Sequence, residues 1–197
     1  MPTAKPDPSL YQLKITLLEI TRPIWRRVEV PGSIRLSKLH DVFQAVMGWT
    51  DSHLHQFDKG EQHYAVPDPE FEDDIKIIDD SRVPLYNVLM AQGDSMIYRY
   101  DFGDNWRHEV ILEKILPLNS SSSSRPVCLA GERRCPPEDV GGPHGYDEFL
   151  KVIFEPGHEE FGQLRTWSGG TFHAEEFDLE AVNRLLENIR LPVSRRK

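Results

Sequence analysis

The sequence predicts an α+β fold in which hairpins form a sheet and amphipathic helices pack on it. Three observations indicate this class. Residues 11–30 alternate between apolar and polar side chains and are rich in strand-forming residues. Residues 37–48 carry apolar side chains at helical spacing. Two further strand-like segments, 95–102 and 106–116, flank a strong turn signal.

The first three predicted elements are two strands and a helix. "YQLKITLLEI" at 11–20 and "IWRRVEV" at 24–30 are separated by "TRP", where Pro23 interrupts the strand pattern and favours a hairpin. The helix that follows has Ser37 as its expected N-cap and Gly48 as its expected C′ residue. Its apolar stripe consists of Leu39, Val42, Phe43, Val46 and Met47. This stripe predicts a helix packed across one face of the sheet.

Shorter strands and a second hairpin follow the helix. "HLHQF" at 53–57 predicts a strand whose two histidines and phenylalanine share one face. An acidic, proline-spaced loop at 67–74 leads to the short strand "IKII" and the turn-like segment "VPLYNVLMAQGD". The "GDN" sequence between the last two strands predicts a tight turn, in which Asp101 and Asp104 cap backbone N–H groups.

The C-terminal part is predicted to be irregular first and helical afterwards. The serine run at 120–124 indicates a solvated loop, and the Gly- and Pro-rich "CLAGERRCPPEDVGGPHG" indicates irregular backbone. Two helices follow, the second with Asp178 as its N-cap. Their apolar stripes are Tyr146, Phe149, Leu150, Ile153 and Phe154 in the first and Leu179, Val182, Leu185, Leu186 and Ile189 in the second. Both stripes need a partner surface, so we expect these helices to pack on the sheet.

The order of the elements also suggests a topology. A hairpin, a helix and a returning strand are how β-grasp folds begin, so we expect a β-grasp-like mixed sheet with one helix across a face, plus a helical C-terminal part. We expect one domain over 1–197, with a flexible leader at 1–10, a β-rich core at 11–117, and an irregular loop with helices at 126–190.

Composition and charge limit the classes of function. The chain is 39% apolar and 28% charged, which is typical of a globular protein. Its net charge of −9 argues against a dedicated binder of duplex DNA, because phosphate contacts need clustered Lys and Arg. The sequence has neither a signal-peptide pattern nor an apolar run of about 20 residues. It therefore predicts a cytoplasmic protein without membrane contact, for which a protein partner is favoured over duplex DNA.

Histidines and aspartates form the candidate site. His53 and His55 share a strand face, while His108 lies on the last hairpin strand, after Asp104 in the turn. If these strands come close, the four side chains converge into a zinc, manganese or iron site, or into an acid–base cluster. Asp101 would lie in the same polar cleft. Histidines on two strands are also common as structural residues, so both interpretations stay open.

Position along the strand separates the three histidines. His53 follows directly from the end of the helix, so we expect it to point into the interior beside Met47 and Trp49 and to be chiefly structural. His55 and His108 are then the better candidates for the polar cleft.

The two cysteines give a weak signal for a metal site. Cys128 and Cys135 are seven positions apart, whereas ordinary zinc pairs have two to four intervening residues. Asp139 and His144 would be needed as further ligands. We favour two reduced cysteines that pin an irregular loop. No cofactor is assigned from the sequence, and a bound divalent transition metal stays open.

Six ordered stretches of the chain resemble one family. They are "YQLKITL", "PIWRRVEVPG", "LHDVFQAVMGWTDSHLHQF", "YDFGDNWRHEVILEKI", "CLAGERRCPPEDVGG" and "FDLEAVN". Together they are similar to the family named after the third open reading frame of the plasmid pRiA4b, whose members are also labelled insertion-element passenger proteins of "TnpR" type. The resemblance runs from about Tyr11 to Leu186. It implies an association with plasmid or mobile-element DNA, and it implies no particular activity.

Two details limit what the resemblance implies. A "TnpR" label suggests a serine recombinase, but Ser9 lies in a proline-rich segment and no basic DNA-reading helix follows it. Many members carry a further cysteine where this chain has Val140, so a zinc site built on three sulfurs would lose a ligand here.

The sequence leaves two functions open. The first, which we favour at this point, is a non-catalytic binding or interaction module, because no catalytic signature is complete and the loop around "CLAGERRCPPEDVGG" offers a recognition surface. The second is a metal-dependent, hydrolase-like enzyme that uses the histidine and aspartate cluster.

Overall fold

The computed structural model describes residues 9–67, 76–117 and 125–191. Within these ranges, the strands and helices in chain order are β1 (Ser9–Leu17), β2 (Trp25–Pro31), α1 (Leu36–Met47), β3 (His55–Lys59), β4 (Gln62–Ala65), β5 (Ile77–Asp79), β6 (Ser95–Tyr100), β7 (Trp106–Pro117), β8 (Val127–Glu132), α2 (Gly142–Ile153), α3 (Phe161–Trp167) and α4 (Leu179–Leu186). Two 3-10 turns, Asp80–Arg82 and Leu85–Asn87, precede β6.

The strands of the described ranges form one sheet with the order β5-β4-β3-β6-β7-β1-β2-β8. Neighbouring strands run antiparallel, except that β4 and β5 are parallel. The sheet is open, with β5 and β8 at its edges. The predicted α+β class, with a mixed sheet and a helical C-terminal part, is confirmed.

The helix α1 lies across one face of the sheet, as predicted. All five residues of its predicted stripe are at most 4% exposed, and they share a core with Leu13, Ile15 and Val110 of the sheet. Gly48 ends the helix in left-handed backbone, with φ of 85°, as expected for a C′ glycine. This packing leaves the loop after Gly48 at one end of the sheet, where the candidate site forms.

The start of α1 differs from the prediction. The helix begins at Leu36 with Arg35 as its N-cap, so the prediction of Ser37 as the N-cap is wrong. Leu36 is completely buried, and its backbone N–H donates to the carbonyl of Val83 at 3.0 Å. Tertiary contacts therefore fix the first turn without a side-chain cap.

The segment after Pro126 corrects a second prediction. The sequence predicts irregular backbone from Cys128 onward, whereas the structure places β8 there, paired with β2. Glycine in a sequence usually indicates a loop, but Gly131 has a packing role: a Cβ at this position would lie 2.7 Å from the ring of Phe177. The glycine therefore allows the chain before α4 to pack closely on the strand.

The C-terminal helices agree with the prediction in part. Tyr146 and Phe149 of α2 are buried, and the side chain of Asp178 caps α4 as predicted. The helix α3 begins at Phe161, the last residue of "GHEEF", whose acidic residues are typical of a helix start. Leu186 of α4 is 1% exposed but Leu185 is 50% exposed, so the predicted burial of the whole stripe is wrong. The reason is that α4 contacts β8 and α1 with one side only.

Some predicted features fall outside the described ranges. Of the leader predicted at 1–10, Ser9 and Leu10 belong to β1, because this strand pairs with β7 as far as Ser9, so the prediction is wrong for these two residues. The serine run and most of the acidic loop at 67–74 lie outside the description. In the parts that are described, no helix has both the length and the apolar character needed to cross a membrane.

Candidate functional site

Three loops meet at one end of the sheet. The first joins α1 to β3 and carries His53, the second joins β6 to β7 and carries Asp101, and the third precedes α2 and carries Glu138 and Asp139. The backbone N–H of Asp101 donates to the carbonyl of Leu54 at 2.9 Å, which holds the first two loops side by side. We call His53, Asp101, Glu138 and Asp139 the loop cluster.

The imidazole of His53 is the centre of the loop cluster. Its Nε2 atom lies 3.2 Å from Oδ1 of Asp139, 3.7 Å from Oδ2 of Asp101 and 4.0 Å from Oε2 of Glu138. The ligand atoms of His53, Asp101 and Asp139 all lie within 4.8 Å of one another. The Nε2 atom is shielded from solvent and forms no hydrogen bond. Since buried polar atoms are nearly always paired, this nitrogen needs a further partner.

The backbone holds both aspartates in an uncommon conformation. Asp101 has φ of 55° and Asp139 has φ of 57°, in the left-handed region that aspartate tolerates better than most residues. Oδ1 of Asp101 accepts the N–H of Gly103 at 2.9 Å, which leaves Oδ2 for His53. The predicted capping role of Asp101 is thus confirmed.

Asp104 joins the turn to the loop before α2. Its Oδ2 atom accepts the N–H of Gly141 at 3.1 Å. Gly142 follows with φ of 69°, and a Cβ there would lie 2.5 Å from the carbonyl oxygen of Asp104. Only glycine fits this contact. Asp104 therefore positions the segment that carries Asp139 and does not itself face His53.

Glu138 is held by groups on the first loop and on β6. Its Oε1 atom accepts the backbone N–H of Thr50 at 2.9 Å and the hydroxyl of Tyr100 at 3.1 Å. Burial raises the pKa of Tyr100, so this hydroxyl stays protonated and donates. The second oxygen, Oε2, is the one that approaches His53.

The loop cluster carries excess negative charge. Each of its three carboxylates lies within 4.0 Å of Nε2 of His53, and among the described residues none of them forms an ion pair with Lys or Arg. One imidazole nitrogen with carboxylate oxygens is a donor set that suits zinc, manganese or iron(II). A divalent cation would both satisfy the nitrogen and balance the carboxylates.

His55, predicted for the polar cleft, lies instead in a histidine stack under α1. Its ring stacks on that of His40, with centroids 3.6 Å apart and planes 10° apart. Nε2 of His55 donates to Asp80 at 2.9 Å, and Nε2 of His40 pairs with Asp51 at 2.7 Å. Burial, with His55 as the second cause, lowers the pKa of His40. His40 was not among the predicted site residues, because it lies beside the apolar stripe of α1.

His108 is completely buried, so its prediction as a cleft residue is wrong. Its Nδ1 atom donates to the carbonyl of Tyr98 at 3.2 Å, and its ring meets Trp49 edge-on. Burial lowers the pKa of His108 to about 4, so the ring is neutral. The expectation that His53 points into the interior is also wrong, since its side chain is 27% exposed. The ring of Trp49, just after α1, packs on His108, whereas His53 lies further along the same loop.

The cysteines are separate from the loop cluster. Both are free and buried, and burial raises the pKa of each thiol. Sγ of Cys135 contacts Sδ of Met47 at 3.2 Å and accepts from Arg26 at 3.4 Å. In the described ranges neither Cys128 nor Cys135 belongs to a group of three potential metal ligands, and Asp139 joins His53 instead.

The comparisons with known proteins agree with this architecture. The family model described as "Plasmid pRiA4b ORF-3-like protein" matches residues 9–181. The chain belongs to the plasmid pRiA4b ORF-3-like family. The resemblance predicted from the sequence is therefore confirmed.

Two relatives of this pRiA4b ORF-3-like chain extend the comparison. It is 40% identical over 176 residues to the "Uncharacterized protein y4hQ" of Sinorhizobium fredii, covering 89% of this chain and 87% of that protein. The crystal structure of a protein of unknown function, MM3350 from Methanosarcina mazei Go1, has a TM-score of 0.76 and 37% identity, and covers 89% of this chain and 98% of that one. Neither name states an activity, so function is argued from the loop cluster.

Proposed function

We propose that this protein is a hydrolase that depends on a divalent transition metal, with His53, Asp101 and Asp139 as the protein ligands. The observation that carries the proposal is the unpartnered Nε2 atom of His53, which is within 4.0 Å of three carboxylate groups. Leaving this nitrogen unpaired among anions is unfavourable, and a cation bound between them removes both penalties.

An enzyme is favoured over a structural metal site because the donor set is incomplete. Structural sites usually have four protein ligands, whereas three leave a position for water or substrate. A bound cation would polarise a carbonyl or phosphoryl oxygen and lower the pKa of a water molecule. Oε2 of Glu138 is on the same side of His53 and is the candidate to take the proton from the attacking water.

A second candidate function is the binding module favoured by the sequence alone. Leu54 is 68% exposed and Phe102 is 46% exposed, and they belong to the same two loops as His53 and Asp101. Exposed apolar residues beside a metal-stabilised loop would suit a protein partner. In this form the protein would act in the cytoplasm as an interaction module associated with plasmid or mobile-element DNA.

Both proposals require a metal ion bound at the loop cluster, so metal analysis tests them together. Protein purified without a histidine tag, then dialysed against zinc or manganese, should retain one metal per chain by mass spectrometry. His53→Ala and Asp139→Asn should lose it. His63→Ala is the matched control, because His63 also pairs with an aspartate and its side chain is 28% exposed. Metal retained by His53→Ala and wild type alike would rule out this site.

Hydrolysis assays then separate the two candidates. Metal-loaded protein should cleave a chromogenic ester or phosphodiester, and Glu138→Gln should keep the metal but lose at least about 100-fold in rate. Glu61→Gln, at an exposed glutamate in the turn between β3 and β4, is the control. If both substrate classes are untouched while metal is bound, the binding module is favoured.

A further inference from the structure

A cavity of about 530 Å³ lies between α2 and α3, beside the loop cluster. Asp139 connects the two, since it lines this cavity and also contacts His53. The apolar part of the lining includes Phe149, Leu164 and Trp167. The cavity is large enough for a small organic group.

The aromatic walls have different roles. Phe149 is 2% exposed and meets the ring of Trp167 edge-on, with centroids 6.0 Å apart. Trp167 is 46% exposed although it lines the cavity, so much of the indole surface is accessible. An accessible indole is the aromatic group that attracts organic cations most strongly.

The charges around the cavity are negative. Besides Asp139, its lining contains Glu148 and Glu160 but no Lys or Arg. A hydrogen bond from Lys151 lowers the pKa of Glu148, while Glu160 forms no ion pair within the described ranges. His158 also lines the cavity, and its Nδ1 atom accepts the backbone N–H of Glu160 at 3.2 Å.

We propose that this cavity binds an ammonium or guanidinium group on an alkyl chain, and that the substrate of the proposed hydrolase therefore carries such a group. This substrate class rests on the proposed function, whereas the cation site itself does not. The apolar walls suit the alkyl chain, and Trp167 and Glu160 suit the charge. A divalent cation in the loop cluster would not repel the ligand, since Asp101, Glu138 and Asp139 together carry more negative charge than it neutralises.

Nuclear magnetic resonance of metal-free protein tests the site with simple probes. The indole N–H resonance of Trp167 is assigned with Trp167→Phe, and its shift is followed during titration with n-butylammonium, 1-butanol or butyrate. We expect saturable shifts with n-butylammonium, and binding at least about fivefold weaker for the alcohol and the anion. Equal binding of all three probes, or no saturable shift with n-butylammonium, would overturn the proposal.

Two charge variants locate the binding. Glu160→Gln should weaken n-butylammonium binding roughly fivefold, whereas Glu159→Gln, an exposed neighbour outside the lining, should leave it unchanged. Equal effects of the two variants would overturn the assignment to this cavity. Zinc binding is measured on the same samples by calorimetry. If wild-type protein binds n-butylammonium but not zinc, only the hydrolase proposal is contradicted. If it binds zinc but not n-butylammonium, only the cation site is contradicted.

Discussion

Nε2 of His53 and Oδ1 of Asp139 lie 3.2 Å apart, although one residue precedes β3 and the other precedes α2. The contact exists because the hydrogen bond from Gly141 to Asp104 fixes the third loop against the hairpin turn. It places His53 in the loop cluster rather than in the core.

Thermal melts of two alanine variants should therefore differ in a defined direction. His108→Ala should lose about 2–4 kcal/mol, because His108 is completely buried and its removal leaves a cavity in the core. His53→Ala should lose less than about 1 kcal/mol in metal-free protein, since its ring is partly exposed and forms no hydrogen bond. A melt of His53→Ala below that of His108→Ala would contradict this assignment.

Features that depend on local sequence patterns were predicted, whereas features that depend on contacts between distant segments were not. The α1 stripe and the caps at Gly48 and Asp178 are local patterns, and the structure confirms them. The β8 strand was not predicted because glycine is typical of loops. The sequence does not show that the ring of Phe177 packs against Gly131. Local pattern carries no information about contacts between distant segments.

The candidate site shows the same limit. The sequence indicated histidine and aspartate chemistry and named His53 and Asp101 among the candidates, but it placed His53 on a strand, whereas β3 begins only at His55. It did not indicate that Glu138 and Asp139 would join them, because these two residues lie far along the chain in a loop without periodicity. His108 is buried and His53 is not, because Trp49 after α1 packs on His108. This contact between distant residues is also a tertiary property.

The free energy of unfolding should depend on pH through the protonation of His108. Its pKa is about 4 when folded, below the value of about 6.5 for an unfolded chain. The unfolded chain therefore binds the proton first, so stability is complete above about pH 6.5 and falls as the pH drops toward 4, by about 3 kcal/mol from this residue. Urea unfolding of metal-free wild type and His108→Gln across this range checks the prediction. A loss of the same size in the variant would assign it to other groups, of which His40 is the first.

Gly142→Ala should damage both the fold and the site. The added Cβ would lie 2.5 Å from the carbonyl of Asp104 in backbone with φ of 69°, so we expect a loss of about 2–4 kcal/mol and weaker metal binding. Gly169→Ala is the control, because Gly169 also has positive φ but has no neighbour within 4 Å, so it should cost only about 1–2 kcal/mol. Chemical denaturation and calorimetry measure the two effects, and equal losses in both variants would contradict the steric argument.

The single domain predicted over 1–197 stays a prediction that proteolysis can test. Asn183 of α4 donates to the carbonyl of Cys128 at 3.0 Å and accepts its N–H at 2.9 Å, which ties the helix to the sheet edge. We expect the first cut within 118–126, with the two pieces remaining associated in gel filtration. Release of a separately folded piece from about residue 126 onward would contradict one cooperative unit.

Anomalous X-ray diffraction from crystals grown with zinc would show whether His53, Asp101 and Asp139 bind a metal ion. We expect a peak about 2.0–2.2 Å from Nε2 of His53 and from a carboxylate oxygen of each aspartate, absent from crystals of His53→Ala. A fully occupied zinc at Cys128 or at the histidine stack with nothing at His53, or no peak at His53 at saturating zinc, would contradict it.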